Sequence, residues 1–236
     1  MPFSYDVKKE ICKLKPHSRD EILAEVYGFL LFSKSSSFDS IVVATENINV
    51  SNVFCNLISK VARVHVDVNK NALFNGKRDV ITNVINQKND IKVITNIMKK
   101  FEHTFDKAVM SNDIKDKKIV CSFLRGVFLC CAAVIDPKKE YRLEFNVQNK
   151  NLAEFLVNVM LKIEQLSLNP GITHKRNSFV VYIKDSEQIY NILAFIGAAK
   201  SAMNFIQIKM VKEVRNYVNR TTTFQTANIE KTANAA

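Results

Sequence analysis

The chain has 236 residues, 47% hydrophobic and 24% charged, enough for one sizeable core or two small ones. No apolar run reaches the roughly 18 to 20 residues of a membrane span, and the charged N-terminus MPFSYDVKKEICKLKPHSRDE has no secretory h-region, so a cytoplasmic protein without a membrane partner is expected. A net charge of +11 favours a polyanionic partner, most simply nucleic acid, although a lysine-rich solvated surface gives the same number.

Residues 1–17 are expected to form a leading helix. In SRDEILAEVYGFLLFSKS, Ser18 is placed to cap a helix, with Glu21 completing a capping box and apolar residues running to Phe32. A strand pattern follows in SIVVATEN, then a helix in SNVFCNLISKVARV. Extended segments around VHVDV and VITNVINQ are joined through Asn75-Gly76, a hairpin signal. The helix NDIKVITNIMKKF closes this unit.

The order then recurs. CSFLRGVFLCCAAV reads as a helix running into a strand, with Asp136-Pro137 at the turn. YRLEFNV is a strand, NLAEFLVNVMLKIEQL an amphipathic helix, Asn169-Pro170-Gly171 a turn, FVVYIKD a strand, and SEQIYNILAFIGAA a helix ending near Gly197. The fold class is α+β, with two pseudo-symmetric αββαββα repeats at about 18–105 and 117–200 within a domain spanning 18–200.

Gly28 and Gly126 lie inside apolar helices at matching positions of the two repeats, each costing about 1 kcal/mol relative to alanine. Ala24 and Gly28 are four apart, as are Ser122, Gly126 and Cys130, so each helix carries a small-residue strip on one face. Two helices packed at a pseudo-twofold axis follow. The adjacent Cys130 and Cys131 read either as small buried residues or as a redox pair. Five cysteines and four histidines without ligand spacing argue against a disulfide framework or a zinc site, so neither metal nor cofactor is expected.

At these residues the chain resembles a known family. VYGFLLFSK at 26–34 and LRGVFLCCA at 124–132 resemble degenerate LAGLIDADG motifs of homing endonucleases. AEVYGFLLFS, SFLRGVFLCCAAVIDPKKEYRLEF, YIKDSEQIYNILAFIGA and KEVRNYVNRTTTFQTANIEKT, in that order, resemble landmarks of the WhiA family over nearly the whole chain. In LAGLIDADG enzymes an acid near the end of each motif helix binds divalent metal. The matching positions here carry Ser33 and Cys131, neither a hard carboxylate ligand. The nearby acids Glu25, Asp39 and Asp136 fit the register poorly. No catalysis is expected, and no other catalytic motif is present.

The resemblance implies a non-enzymatic transcription regulator of cell division, and of sporulation where the lineage sporulates, associated with the nucleoid. It implies that DNA is read mainly by a C-terminal helix-turn-helix domain absent from these residues, with protein partners in transcription or division. Residues 201–236 then form a helical connector, with a possible break near Thr221-Thr222-Thr223. Residues 200–236 hold six basic residues against Glu213 and Glu230. This segment reads either as a solvated face over an apolar stripe or as phosphate contacts by Lys209, Lys212, Arg215 and Arg220, assisted by Asn216 and Asn219.

Overall fold

The structure, a computed structural model, describes residues 3–33, 35–37, 40–71, 80–111, 113–175 and 177–235. The expected turn at Asn75-Gly76, the motif residue Lys34 and the acid Asp39 lie outside these residues. Helix α1 (Phe3–Ile11) buries Phe3, Val7 and Ile11, one residue per turn. The first repeat follows as α2 (Arg19–Leu31), β1 (Ser35–Ser37), β2 (Ser40–Thr45), α3 (Ile48–Ala62), β3 (Asp67–Asn71), β4 (Val80–Ile85) and α4 (Lys88–Met110). The second comprises α5 (Ile114–Cys131), β5 (Ala132–Val134), β6 (Leu143–Val147), α6 (Lys150–Leu161), β7 (Gly171–Lys175), β8 (Ser178–Ile183) and α7 (Ser186–Phe195). Helix α8 (Ala199–Ala235) completes the chain. The sequence pattern and the structure agree on an α+β fold of two αββαββα repeats.

Local chemistry sets the helix ends. Ser18 accepts from the Glu21 amide at 3.1 Å, as the capping pattern predicts. The Glu21 carboxylate reaches one residue further back than a regular capping box, accepting from the His17 amide at 2.9 Å. Asn47 and Asn149 start α3 and α6 by accepting from Asn49 and Leu152 amides, so the two repeats share this cap. Gly197, at φ 94°, ends α7 by letting Ala198 N–H reach the Leu193 carbonyl at 2.8 Å, a Schellman closure.

Several boundaries differ from the sequence pattern: α3 starts at Ile48 rather than Ser51, α5 at Ile114 rather than Cys121, and α6 ends at Leu161 rather than Leu166. Helix α4 continues past Phe101 because Phe105 and Ala108 extend the buried spacing of Ile91, Ile94, Met98 and Phe101, so the repeats meet at residues 111–113. Strand β3 starts at Asp67, after the buried Val64 and Val66; it is a polar edge strand with no apolar alternation to mark it. Helix α8 runs unbroken through Thr221-Thr222-Thr223. The Thr221, Thr223 and Thr226 hydroxyls each donate to the carbonyl four residues back, at 2.8–3.0 Å, and stay within the helix.

The strands form two antiparallel sheets ordered β1-β2-β4-β3 and β5-β6-β8-β7, the same arrangement twice. Ile41 and Val43 alternate with half-buried neighbours on β2, and Leu143, Phe145 and Val147 alternate with half-buried Glu144 and exposed Asn146 on β6. Each sheet thus buries one face and leaves the other open. The core is continuous between repeats, where Phe105 of α4 and Phe123 of α5 pack tilted with centroids 4.4 Å apart and Tyr27 of α2 lies 5.9 Å from Phe123. Helix α1 ties the ends together. The Glu10 carboxylate accepts from the Lys200 and Ser201 amides at 2.7 and 2.8 Å, capping α8 from a distant part of the chain.

Candidate functional site: the paired motif helices and the cleft at their ends

The two motif helices, α2 and α5, make the most extensive contact of any two elements in the fold. The two glycines permit it reciprocally. A methyl group at Gly126 would overlap the Glu25 carbonyl oxygen, and one at Gly28 would overlap the Phe123 carbonyl oxygen and sit 2.9 Å from Val127 N. In both cases the obstacle is the residue three positions before the other glycine, as a pseudo-twofold axis requires. Backbone cannot rotate aside as a side chain does, so these positions admit only hydrogen. Ala24 and Ser122 are fully buried, and the Cys130 thiol points across to the Phe29 carbonyl at 3.6 Å. Gly28, Gly126 and Cys130 therefore lie where the two helices meet, with Ala24 and Ser122 buried one turn before the two glycines.

Within the seam, Glu25 is buried, 3.9 Å from the Arg125 guanidinium, and one carboxylate oxygen lacks a hydrogen-bond partner. Burial pushes its pKa up to about 7, with Glu21 adding to the shift and Arg125 opposing it. Arg125 also donates to the Ile196 carbonyl at 3.1 Å and so binds the end of α7 to the helix pair. Glu25 therefore faces into the helix interface rather than the motif ends. Asp136, the other described acid, accepts from Lys138 N at 2.9 Å as a turn residue.

The motif ends themselves are closed chemically. Ser33 is buried and its hydroxyl donates to the Leu30 carbonyl at 2.9 Å. The Cys131 thiol donates to Val127 O at 3.4 Å, and burial raises its pKa well above the ordinary thiol value. Both side chains turn back onto their own helices, and a soft protonated thiol beside a neutral hydroxyl does not suit magnesium. The residues present therefore do not fit the divalent metal of the nuclease fold. Among the described residues no three His, Cys, Asp or Glu side chains gather closely enough to hold a metal.

A cleft of about 810 Å³ opens at these ends, lined by Lys8, Asn47, Cys130, Cys131, Asn146 and Gln148 among others. Lys8 reaches in from α1 and donates to the Leu129 carbonyl at 3.0 Å, beside the unsatisfied C-terminal carbonyls of α5. Burial lowers its pKa, while Cys131, Cys130, Cys12 and Glu46 act in the opposite direction. The Lys8 amine thus stands at the C-terminal end of α5. Gln148 donates to the Ser33 carbonyl at 2.5 Å and links the two repeats across the cleft. Sequence reasoning missed both. Lys8 sits in a helix whose docking face was legible, but nothing in the pattern says which residue its polar edge meets, and Gln148 carries no signal.

Among the described residues the two open sheet faces differ in charge, and only the second carries cations, with Lys175 exposed on the same side as Tyr182. On the first sheet this face presents Val42, Ala44, Thr82, Val84, Asn69 and Asp67, so its one charge among these residues is negative. On the second, Arg142 pairs with Glu144 at 2.5 Å, and Arg142 and Lys184 both lie over the Tyr182 ring, at 5.1 and 5.2 Å. The basic residues expected on α8 divide into two groups. Lys209 faces the body, 3.4 Å from Glu187, and Lys212 donates to the Lys139 carbonyl at 3.3 Å while lying over Tyr141 at 4.8 Å. Arg215, Asn216, Asn219 and Arg220 are exposed on the part of α8 that leaves the body.

Comparison with known proteins agrees with this geometry. The family described as the WhiA LAGLIDADG-like domain matches residues 120–215. The probable cell division protein WhiA of Clostridium novyi (strain NT) is 32% identical over all of this chain and 77% of its own length. Its counterpart in Clostridium beijerinckii is likewise 32% identical over the same shares. The crystal structure of full-length WhiA from Thermatoga maritima superposes with a TM-score of 0.71 at 24% identity, over 99% of this chain and 75% of that one. The isolated N-terminal LAGLIDADG domain of WhiA gives 0.65 at 23%, over 83% of this chain and 90% of that one. Its paired motif helices, repeated sheets and relatives together show that this chain belongs to the WhiA family.

Proposed function

We propose that this chain is the non-catalytic scaffold of a DNA-binding transcription regulator of the WhiA type, acting in cell division and, where the lineage sporulates, in sporulation. One observation carries the non-catalytic part: the motif ends hold a buried serine and a protonated thiol, both bonded to their own helices, with Lys8 beside them. The relatives' printed role in cell division and the charge of +11 support the regulatory and nucleic-acid parts. Base reading belongs to a helix-turn-helix domain that these residues do not contain, and the protein works in the cytoplasm at the nucleoid.

The scaffold's own DNA contact is proposed for the outer half of α8, at Arg215 and Arg220 with Asn216 and Asn219 as hydrogen-bonding partners. Lys209 and Lys212 contribute to the local field while engaged with the body. Anisotropy titration of a labelled promoter duplex with the 236-residue chain tests this. Weak binding that falls steeply with salt is expected, because phosphate contacts release counterions. Loss of that binding in Arg215→Ala locates it on α8, and no binding at low salt contradicts it. The lack of positive charge on the described open face of the first sheet, where Asp67 stands, favours a second reading, a protein-docking scaffold without DNA contact. That reading predicts no duplex binding at any salt.

A further inference from the structure

Helix α8 has two faces with different fates. Phe205, Lys209 and Lys212 rest against the body, whereas from residue 213 to 220 every side chain is exposed. On the side away from the body, Met203, Met210, Tyr217 and Phe224 recur every seven residues and stand 52–72% exposed. Val211 and Val218 flank this row at the same spacing, 59% and 52% exposed. The row spans roughly 32 Å of helix and carries no charge. A strict seven-residue repeat keeps an apolar seam aligned with a second helix, whereas a lone helix this long gains nothing from displaying one to water.

The charges beside the seam identify the second helix. Glu213 and Arg220 lie on the same edge of the row, seven residues apart, too far along one helix to pair with each other. Glu213 approaches Lys209 only at 3.9 Å, and Arg220 makes no ion pair among the described residues. When an identical helix is laid antiparallel with Val214 opposite Tyr217, Arg220 of the second copy falls against Glu213, and the converse holds by symmetry. In that register Val211 meets Val218, and Thr221 meets Met210. Parallel pairing instead sets Glu213 against Val218 and Arg220 against Gln225, leaving both charges unmatched. The body sits on the opposite face of α8, so the two bodies fall at opposite ends of the ribbon, on its outer sides.

We propose that two copies of this chain associate through the outer face of α8 as an antiparallel helical pair. Sedimentation equilibrium of the 236-residue chain over a wide concentration range tests it. The mass is expected to rise from 26.9 kDa to twice that. Tyr217→Glu is expected to abolish the rise while leaving far-ultraviolet circular dichroism unchanged, which separates lost pairing from lost folding. Glu213→Arg and Arg220→Glu alone each weaken association by roughly tenfold, since every pair becomes a repulsion, and the double exchange restores it. A monomer at all concentrations overturns the proposal, as does a dimer insensitive to Tyr217→Glu. A dimer in which the double exchange fails to rescue the single ones overturns the antiparallel register.

Discussion

The helix pair α2–α5 and the outer half of α8 are both long helical stretches, but different residues decide their behaviour. In the pair, the smallest residues matter: Gly28 and Gly126 bring two backbones into contact, and everything larger is arranged around them. On outer α8, the large ones matter, because Met210, Tyr217 and Phe224 meet solvent rather than core. A substitution that is severe in one region is therefore mild in the other. Apolar side chains stabilise where they are packed, and exposed ones signal what has yet to cover them.

The largest effect expected from breaking this contrast is at Gly126. Gly126→Ala should destabilise the protein by about 3 kcal/mol in urea denaturation despite alanine's better helix propensity, because its methyl group meets backbone. Gly28→Ala should cost about 2 kcal/mol, since part of its surroundings is the movable Val127 side chain. If both are neutral, the close approach of α2 and α5 is wrong.

Glu25 comes next, and its sign is fixed by pH. Its folded pKa of about 7 lies above the ordinary 4.5, so the neutral form is favoured by folding. The associated stability is present below about 4.5 and is lost as pH rises through about 7. Glu25→Gln should therefore match the native protein near pH 5 and exceed it at pH 8 by on the order of 2 kcal/mol, less than the full shift because Arg125 loses its partner. Thermal melts across that range check it. A native protein that gains stability between pH 6 and 8 through this residue would contradict the assignment.

Smaller effects follow at the motif end and on α8. Ser33→Ala should cost about 1 kcal/mol, the loss of one buried hydroxyl's bond to Leu30. Phe224→Ser on outer α8 should change the monomer's stability by less than about 0.5 kcal/mol in the same melts.

Much of this was legible in the sequence because it depends on period and punctuation. Ser18 and Gly197 mark helix ends through short-range bonding, and two interior glycines among five announce a helix–helix contact. What escaped depends on distant partners. The polar strand DVNKN is a strand only because β4 lies beside it, and Lys8 meets Leu129 across 121 residues of chain. The basic residues of α8 look alike in sequence, yet Lys209 and Lys212 turn to Glu187 and Tyr141 because the helix leaves the body only after them.

The measurement closest to the central claim is a supercoiled-plasmid assay with the 236-residue chain in magnesium and in manganese, run beside a Ser33→Asp/Cys131→Asp/Lys8→Ala variant assayed for manganese binding. A nuclease scaffold without its metal centre predicts no nicking by the native chain in either ion and no manganese binding until the two carboxylates replace Ser33 and Cys131. Metal-dependent nicking by the native chain that disappears on changing Ser33 or Cys131 would contradict it.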